Sequence, residues 1–267
     1  MPKKLGEEEY IKNGYASMRK RALSEIIEIH RHDFFELEYY ASGSGYQIID
    51  GAVVPITPGT LFLFTPTNIH SIKPDNCFVY NVRFNIMSLA ASIITQLMTS
   101  PDTHIYNFPE EERPYIEFLL EDLYKNIDNV DLSCSFLNCI IAKLPKAPYS
   151  KSSVPADTDI TRALLYILTN FKSNVNLDDV AAYIHKSPTY FSHYFKDHMS
   201  TSFKEYLDSL RFSYAKKLLI YSDESIQNVC TESGFNNLPN FLRRFKKRFG
   251  VSPKQYRIQK NILKKNK

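Results

Sequence analysis

The sequence predicts an α+β protein: an N-terminal all-β barrel with appended helices, followed by a C-terminal all-α domain with two helix-turn-helix units. Three observations predict it. Over residues 20–85, short runs of β-forming residues alternate with turn pairs such as Asp50-Gly51 and Pro58-Gly59. Short strands at that spacing make a barrel or a sandwich. From about Met87 the apolar period becomes helical. Charge then divides the chain. Residues 1–150 hold 13 Lys and Arg against 19 Asp and Glu, net −6, and residues 151–267 hold 20 against 10, net +10. A basic half beside an acidic half points to a nucleic-acid partner for the basic half.

A length of 267 residues suits two domains, and 43% hydrophobic with 23% charged residues is the composition of a globular protein. No apolar run reaches the roughly 18 residues of a membrane span. The opening Met-Pro-Lys-Lys-Leu-Gly-Glu-Glu-Glu has no apolar signal core, so a cytoplasmic location and no membrane partner are expected. Cys77, Cys134, Cys139 and Cys230 are scattered with no Cys-x-x-Cys pair, which reads as idle or buried thiols.

In the first half, Ile26 to Ile29, Phe34 to Tyr40, Tyr46 to Ile49, Val53 to Ile56 and Leu61 to Phe64 read as strands. Gly43-Ser44-Gly45 is read as a break, and Asp50-Gly51 as a hairpin turn. Cys77 to Phe84 alternates, with Phe78, Tyr80, Val82 and Phe84 on one face and Asn81 and Arg83 on the other. That second face can turn toward a ligand or toward solvent. Leu89 to Met98 is apolar. Pro109-Glu110-Glu111-Glu112 is expected to open a helix with acid in its first turn, which suits the macrodipole. Its stripe is Ile116, Leu119, Leu120 and Leu123. Another helix covers Leu132 to Leu144 through Phe136, Ile140 and Ile141. These helices either cover the barrel or pair with a second subunit. Pro145 to Asp157 has linker composition. The expected domains are therefore residues 1–145 and 158–260, joined by a linker over 146–157.

The second domain opens with an amphipathic helix through Ile160, Ala163, Leu164, Ile167, Leu168 and Phe171. The first helix-turn-helix spans residues 177–197. Asn176 is its cap, with Asp179 three residues on, and Val180, Ala181 and Ile184 face inward. Ser187 and Pro188 start its second helix. There Tyr190, Phe191, Tyr194 and Phe195 can supply the buried side. A long helix from Phe203 to Tyr221 follows, packing through Phe203, Tyr206, Leu207, Leu210, Ala215, Leu218 and Leu219. At about 28 Å it can hold two readers near the roughly 34 Å repeat of the major groove. The second unit spans 225–248. Ser225 caps it, Gly234 closes its first helix in the left-handed state, and Asn237 caps the next. Phe241, Phe245 and Leu242 are candidates to pack inward.

Candidate DNA-binding residues follow from what these helices leave exposed. They are Ser187, Thr189, Tyr190, Ser192, His193 and Lys196 in the first unit. In the second they are Asn236, Asn237, Asn240, Arg243, Arg244 and Lys247. Arg suits guanine and Asn suits adenine, while Lys246, Lys247 and Arg248 suit phosphates.

The stretch Gly234-Phe235…Phe241…Arg244-Phe245-Lys246-Lys247-Arg248-Phe249-Gly250-Val251-Ser252-Pro253…Tyr256-Arg257 resembles the closing motif of the AraC/XylS family of transcriptional regulators. Val180-Ala181…Ser187-Pro188-Thr189-Tyr190-Phe191-Ser192…Phe195-Lys196 is similar to the family's first unit. The resemblance covers about residues 157–260 and implies a regulator that places two recognition helices in adjacent major grooves of double-stranded DNA. It also implies a homodimer, with RNA polymerase as a partner where the regulator activates.

The first half resembles the cupin-like sensor domain of such regulators. His30-x-His32-x-x-x-Glu36 with Gly43 is similar to the first cupin motif, and Pro58-Gly59 with His70 to the second, which here is long and lacks its usual Asn. In cupin enzymes the residues matching His30, His32, Glu36 and His70 bind a divalent metal. Regulators of this build generally lack metal and hold a small organic effector, often a sugar. That makes His30, His32, Glu36, His70 and Arg83 candidate effector ligands and implies no cofactor and no catalytic residue. A metal-dependent cupin enzyme carrying a DNA-binding domain, and a dimeric regulator without effector, are the other readings.

Overall fold

In the computed structural model the chain forms two units, Met1–Thr158 and Asp159–Lys267. The described residues are 3–6, 10, 11, 15–66, 68–90, 92–94, 97, 104–144, 158–199 and 201–265. The expected linker 146–157 lies outside them, as does part of the apolar stretch Leu89 to Met98.

The first unit is one eight-stranded sheet: β1 (Lys3–Leu5), β2 (Ala16–Leu23), β3 (Ile27–His32), β4 (Phe35–Ile49), β5 (Ala52–Ile56), β6 (Thr60–Phe64), β7 (His70–Phe84) and β8 (His104–Asn107). The strand order is β1-β3-β7-β4-β6-β8, with β2 also on β7 and β5 also on β4. The two 15-residue strands β4 and β7 pair antiparallel from Phe35↔Phe84 to Ile49↔His70. The start of β7 takes β3 on its other side and the end takes β2, while the start of β4 takes β6 and the end takes β5. One face of the sheet closes over Tyr40, Ile49, Phe62, Phe64, Ile72 and Val79.

Gly43-Ser44-Gly45 does not break the strand. β4 runs through it, with the register shifting around Ser42. Gly43 has φ +90°, and a Cβ there would lie 2.4 Å from Cys77 Cα. Only a residue without a side chain fits, so the glycines bend the strand by bulging it and pairing continues.

The other face is covered by helix α1 (Arg113–Lys125), with α2 (Val130–Ala142) packed on α1. Ile116, Leu119, Leu120 and Leu123 are buried as expected. The Tyr39 hydroxyl donates to Glu117 at 2.9 Å, the Tyr80 hydroxyl to Glu121 at 2.9 Å, and Lys20 bonds both Glu121 oxygens at 3.0 Å. The acidic run Glu110 to Glu112 lies in the turn before α1 and not in its first helical turn, because Pro114 fixes the start. Leu132 is exposed, and Leu137 takes the buried place on α2.

The second unit is helical: α3 (Thr158–Asn170), α4 (Leu177–Tyr183), α5 (Pro188–Met199), α6 (Phe203–Tyr221), α7 (Ile226–Glu232), α8 (Leu238–Phe249) and α9 (Pro253–Lys265). The caps are where the sequence puts them. Asn176 and Asp179 form a capping box, Ser187 accepts from Tyr190 N, Ser225 from Asn228 N, and Asn237 from Asn240 N. Phe212, Ala215, Leu219, Val229, Cys230, Phe235, Phe241 and Phe245 form one core around α6, α7 and α8. Phe212 joins that core although it lies off the expected stripe, and Leu218 is only partly buried. Among the described residues no helix is long and apolar enough to cross a membrane.

Candidate nucleic-acid interface and sensor pocket

Each helix-turn-helix presents its second helix outward. On α5, Phe191, Phe195 and Met199 are buried, and Thr189, Ser192, His193 and Lys196 are exposed. Tyr190 is not part of the buried side. It is 49% exposed, stacked at 5.5 Å on Tyr194, and so lies on the surface that could meet DNA. On α8, Phe241 and Phe245 point inward and Leu242 is exposed.

The polar side of α8 is already ordered. Asn237 spends its side-chain oxygen on the cap. Asn240 Oδ1 accepts from Arg243 Nη2 at 3.0 Å, which sets an amide beside an exposed guanidinium. Asn236 and Lys247 are exposed. Arg244 departs from expectation. It is half-buried, ion-paired with Asp208 of α6 and lying 5.5 Å and 5.6 Å from the rings of Phe212 and Phe235. Arg248 Nη2 likewise bonds Ser209 Oγ at 2.8 Å. These two arginines hold α8 to α6, and Asn240, Arg243 and Lys247 are left to reach outward. Asp208 is a functional support that the sequence reading missed, being 36 residues from its partner.

In the first unit, Asn81 and Arg83 turn inward. Register places Glu36 against Arg83 and Glu38 against Asn81, and all four are buried. Glu36 Oε1 accepts from Arg83 Nε and from Asn81 Nδ2, each at 2.9 Å. Its Oε2 lies 3.3 Å from His32 Nε2 and 3.6 Å from His70 Nε2. Glu38 accepts from Asn81 at 2.9 Å, Tyr40 at 3.0 Å and Gln47 at 2.7 Å. His32 Nδ1 is 2.7 Å from Phe34 O, His30 Nδ1 is 2.9 Å from Glu28 O, and the His30 and His70 rings are 4.2 Å apart. The sequence-predicted set His30, His32, Glu36, His70 and Arg83 thus meets in one place. Glu38, Asn81 and Gln47 complete it. Glu38 was legible as the next inward residue after Glu36 on the strand.

Burial opposes ionisation of Glu36, but the His32 contact and the Arg83 charge outweigh it and hold the carboxyl well below its usual range. Burial and the Glu36 charge raise Glu38 to about 7. Burial lowers His70 well below its ordinary value, and His30 below it, which favours the neutral ring at both.

The metal implied by the cupin motif can be tested on these donors. One ligand atom each of His30, Glu36 and His70 falls within 4.8 Å of the others. Arg83, however, already supplies the positive charge at Glu36. A dication there would sit beside a buried guanidinium, which costs it the attraction that a metal cage relies on. The set does not fit a divalent metal. A cavity of about 380 Å³ opens onto Arg19, Arg21, His30, Glu36, Asn81 and Arg83, with Ile27 and Ile72 as apolar wall.

A β unit with a polar inner cavity, followed in the chain by two outward-facing recognition helices, defines a DNA-binding transcriptional regulator with its own ligand-binding domain. Comparison with known proteins agrees. Residues 22–137 match the family described as AraC-like ligand binding domain, and residues 180–259 match the family described as helix-turn-helix domain. The chain belongs to the AraC/XylS family of transcriptional regulators. It is 26% identical over 254 residues to the uncharacterized HTH-type transcriptional regulator YfiF of Bacillus subtilis, covering 86% of this chain and 78% of that protein. It is 32% identical over 112 residues to the regulatory protein PocR of Salmonella typhimurium, covering 42% of this chain and only 37% of PocR. Among solved structures, the C-terminal domain of AraT, a response regulator from Geobacillus stearothermophilus, is 32% identical, covering 41% of this chain and 88% of that one, with a TM-score of 0.37.

Proposed function

We propose that this regulator reads one DNA sequence through α5 and α8 and is controlled by a small polyhydroxylated effector, a sugar or sugar derivative, in the pocket of the β unit. The observation that carries the reading half is the presentation of α8: Arg244 and Arg248 anchor it, while Asn240, Arg243 and Lys247 face outward. Thr189, Tyr190, Ser192, His193 and Lys196 do the same for α5, with Ser187 at its cap. Asn and Arg would meet base edges, and Lys247 and Lys196 would meet phosphates. The sensing half rests on the donor- and acceptor-rich pocket. A sugar offers hydroxyls that serve both roles.

The effector acts by favouring one arrangement of the regulator over another, since a ligand that binds both equally shifts nothing. Two copies on paired half-sites, and contact with RNA polymerase at promoters that are activated, complete the proposal. The test is footprinting of the full chain on DNA upstream of its neighbouring genes, with candidate sugars added. A protected site whose occupancy or extent changes with one sugar supports the reading. Protection with no sugar response leaves a regulator without this effector, and no protection anywhere contradicts the DNA-reading half.

A further inference from the structure

We propose that the effector is a sugar acid of the uronate or aldonate class, rather than a neutral sugar. The inference rests on the reading of the β unit as the effector site and names the chemistry of what enters it. Arg19 and Arg21 stand two residues apart on β2 and so point to the same face of the strand. Register sets Arg19 opposite Asn81 and Arg21 opposite Val79 on β7, and Asn81 in turn opposite Glu38 on β4. Residues paired across strands share a face. The two arginines therefore look onto the same side as Glu38 and Asn81, and both line the cavity.

The charges of this cavity are unevenly matched. Arg83 is paired with Glu36, and Glu38 is enclosed by Asn81, Tyr40 and Gln47. Glu28 lies at the exposed rim. Among the described residues, neither Arg19 nor Arg21 makes an ion pair. Two guanidinium groups are thus left without an anion, and Arg21 Nε is shut off from solvent without an acceptor. The guanidinium fork is the side chain best shaped for a carboxylate.

A second polar group in the cavity calls for a hydroxyl. Asn81 gives its amide to Glu36 Oε1 and Glu38 Oε1, and its Oδ1 is buried with no donor. A simple carboxylate has no hydrogen to give it. A neutral sugar has one, but leaves the arginines unmatched. A hydroxy acid supplies both. Arg21 and Asn81 are diagonal neighbours on paired strands and line one cavity, so a single hydroxy acid can meet both. Ile27 and Ile72 offer its C–H face an apolar wall.

The test is calorimetry of the full chain at fixed ionic strength against matched ligands: glucose, glucuronate and gluconate, then galactose and galacturonate, repeated with Arg21→Gln. The expected result is an acid bound at least about tenfold tighter than its neutral parent, because a site built for a polar group rejects the analogue lacking it. Arg21→Gln should erase that preference. The parent-against-acid comparison stands on the unaltered protein even if the variant does not fold. Neutral sugars binding as tightly as their acids would overturn this inference and leave the sugar reading standing. Failure of both series to bind would overturn both.

Discussion

Arg211 of α6 donates from Nε to the main-chain oxygen of Phe171, at the end of α3, across 2.7 Å. Its Nη2 reaches Ser173 O at 2.7 Å as well. Gly234, at φ +81°, closes on the same point: a Cβ there would lie 2.6 Å from Phe171 O and 2.8 Å from Arg211 Nε. The helix joining the two readers is thus tied to the segment that leads into the first, while the turn of the second presses on the same carbonyl. This fixes the phase between α5 and α8.

Arg211→Ala leaves the carbonyl of buried Phe171 short of its donor, a loss of about 1–3 kcal/mol. Its urea midpoint should fall. It should also tolerate operators with one base pair inserted between the stretches met by α5 and by α8 of one chain better than the parent does. An unchanged midpoint and an unchanged spacing preference would show that Arg211 fixes nothing.

Neighbouring arginines on α8 should separate cleanly. Arg243→Ala should cost about 1–3 kcal/mol at one base position of the operator and leave stability within about 0.5 kcal/mol of the parent. Arg244→Ala removes the Asp208 pair and the packing on Phe212 and Phe235, so its loss should appear in stability, at about 1–2 kcal/mol. Binding to variant operators and chemical unfolding of both proteins decide this. A base-specific loss from Arg244→Ala with normal stability would reverse the two roles.

That division marks where the sequence stops being informative. Asn176, Ser187, Ser225 and Asn237 were readable as caps because a cap is a local pattern of three or four residues. Which of two adjacent arginines pairs with Asp208 depends on how α8 lies on α6, and no local pattern encodes it. In the β unit, Phe34 to Tyr40 was legible as a strand, but β2 was not. Its Arg19, Lys20 and Arg21 hide the alternation, because Arg19 and Arg21 face the cavity while Lys20 pairs with Glu121 on the other side. The cavity of the β unit was only half visible for the same reason. His30, His32 and Glu36 came from one motif and His70 from a second, while Arg19 and Arg21 lie on a strand that pairs with β7 some sixty residues later.

Glu38 gives a pH signature. Its folded-state pKa is about 7 against an ordinary 4.5. Between those values the folded state holds a proton that the unfolded state has lost, so stability falls as pH rises through the window and levels off above it. His30 and His70, lowered by burial, act in the opposite sense: their contribution is present above about 6.5 and is lost as pH falls. Comparing Glu38→Gln with the parent isolates the acid. The variant should gain relative stability from about pH 5 to about pH 8, on the order of 3 kcal/mol, read by urea unfolding at the two ends. A difference that does not change with pH would mean Glu38 is already ionised at the lower end.

The central claim, that the basic helical unit reads a particular DNA sequence, is tested most directly by one titration. The full chain is bound to a selected operator duplex and to a scrambled duplex of equal length, from about 50 to about 200 mM salt. Affinity for both should drop steeply, because phosphate contacts release counterions. At each salt the operator should stay preferred by about 10³ or more. Equal affinity for the two duplexes, or binding indifferent to salt, would contradict the account.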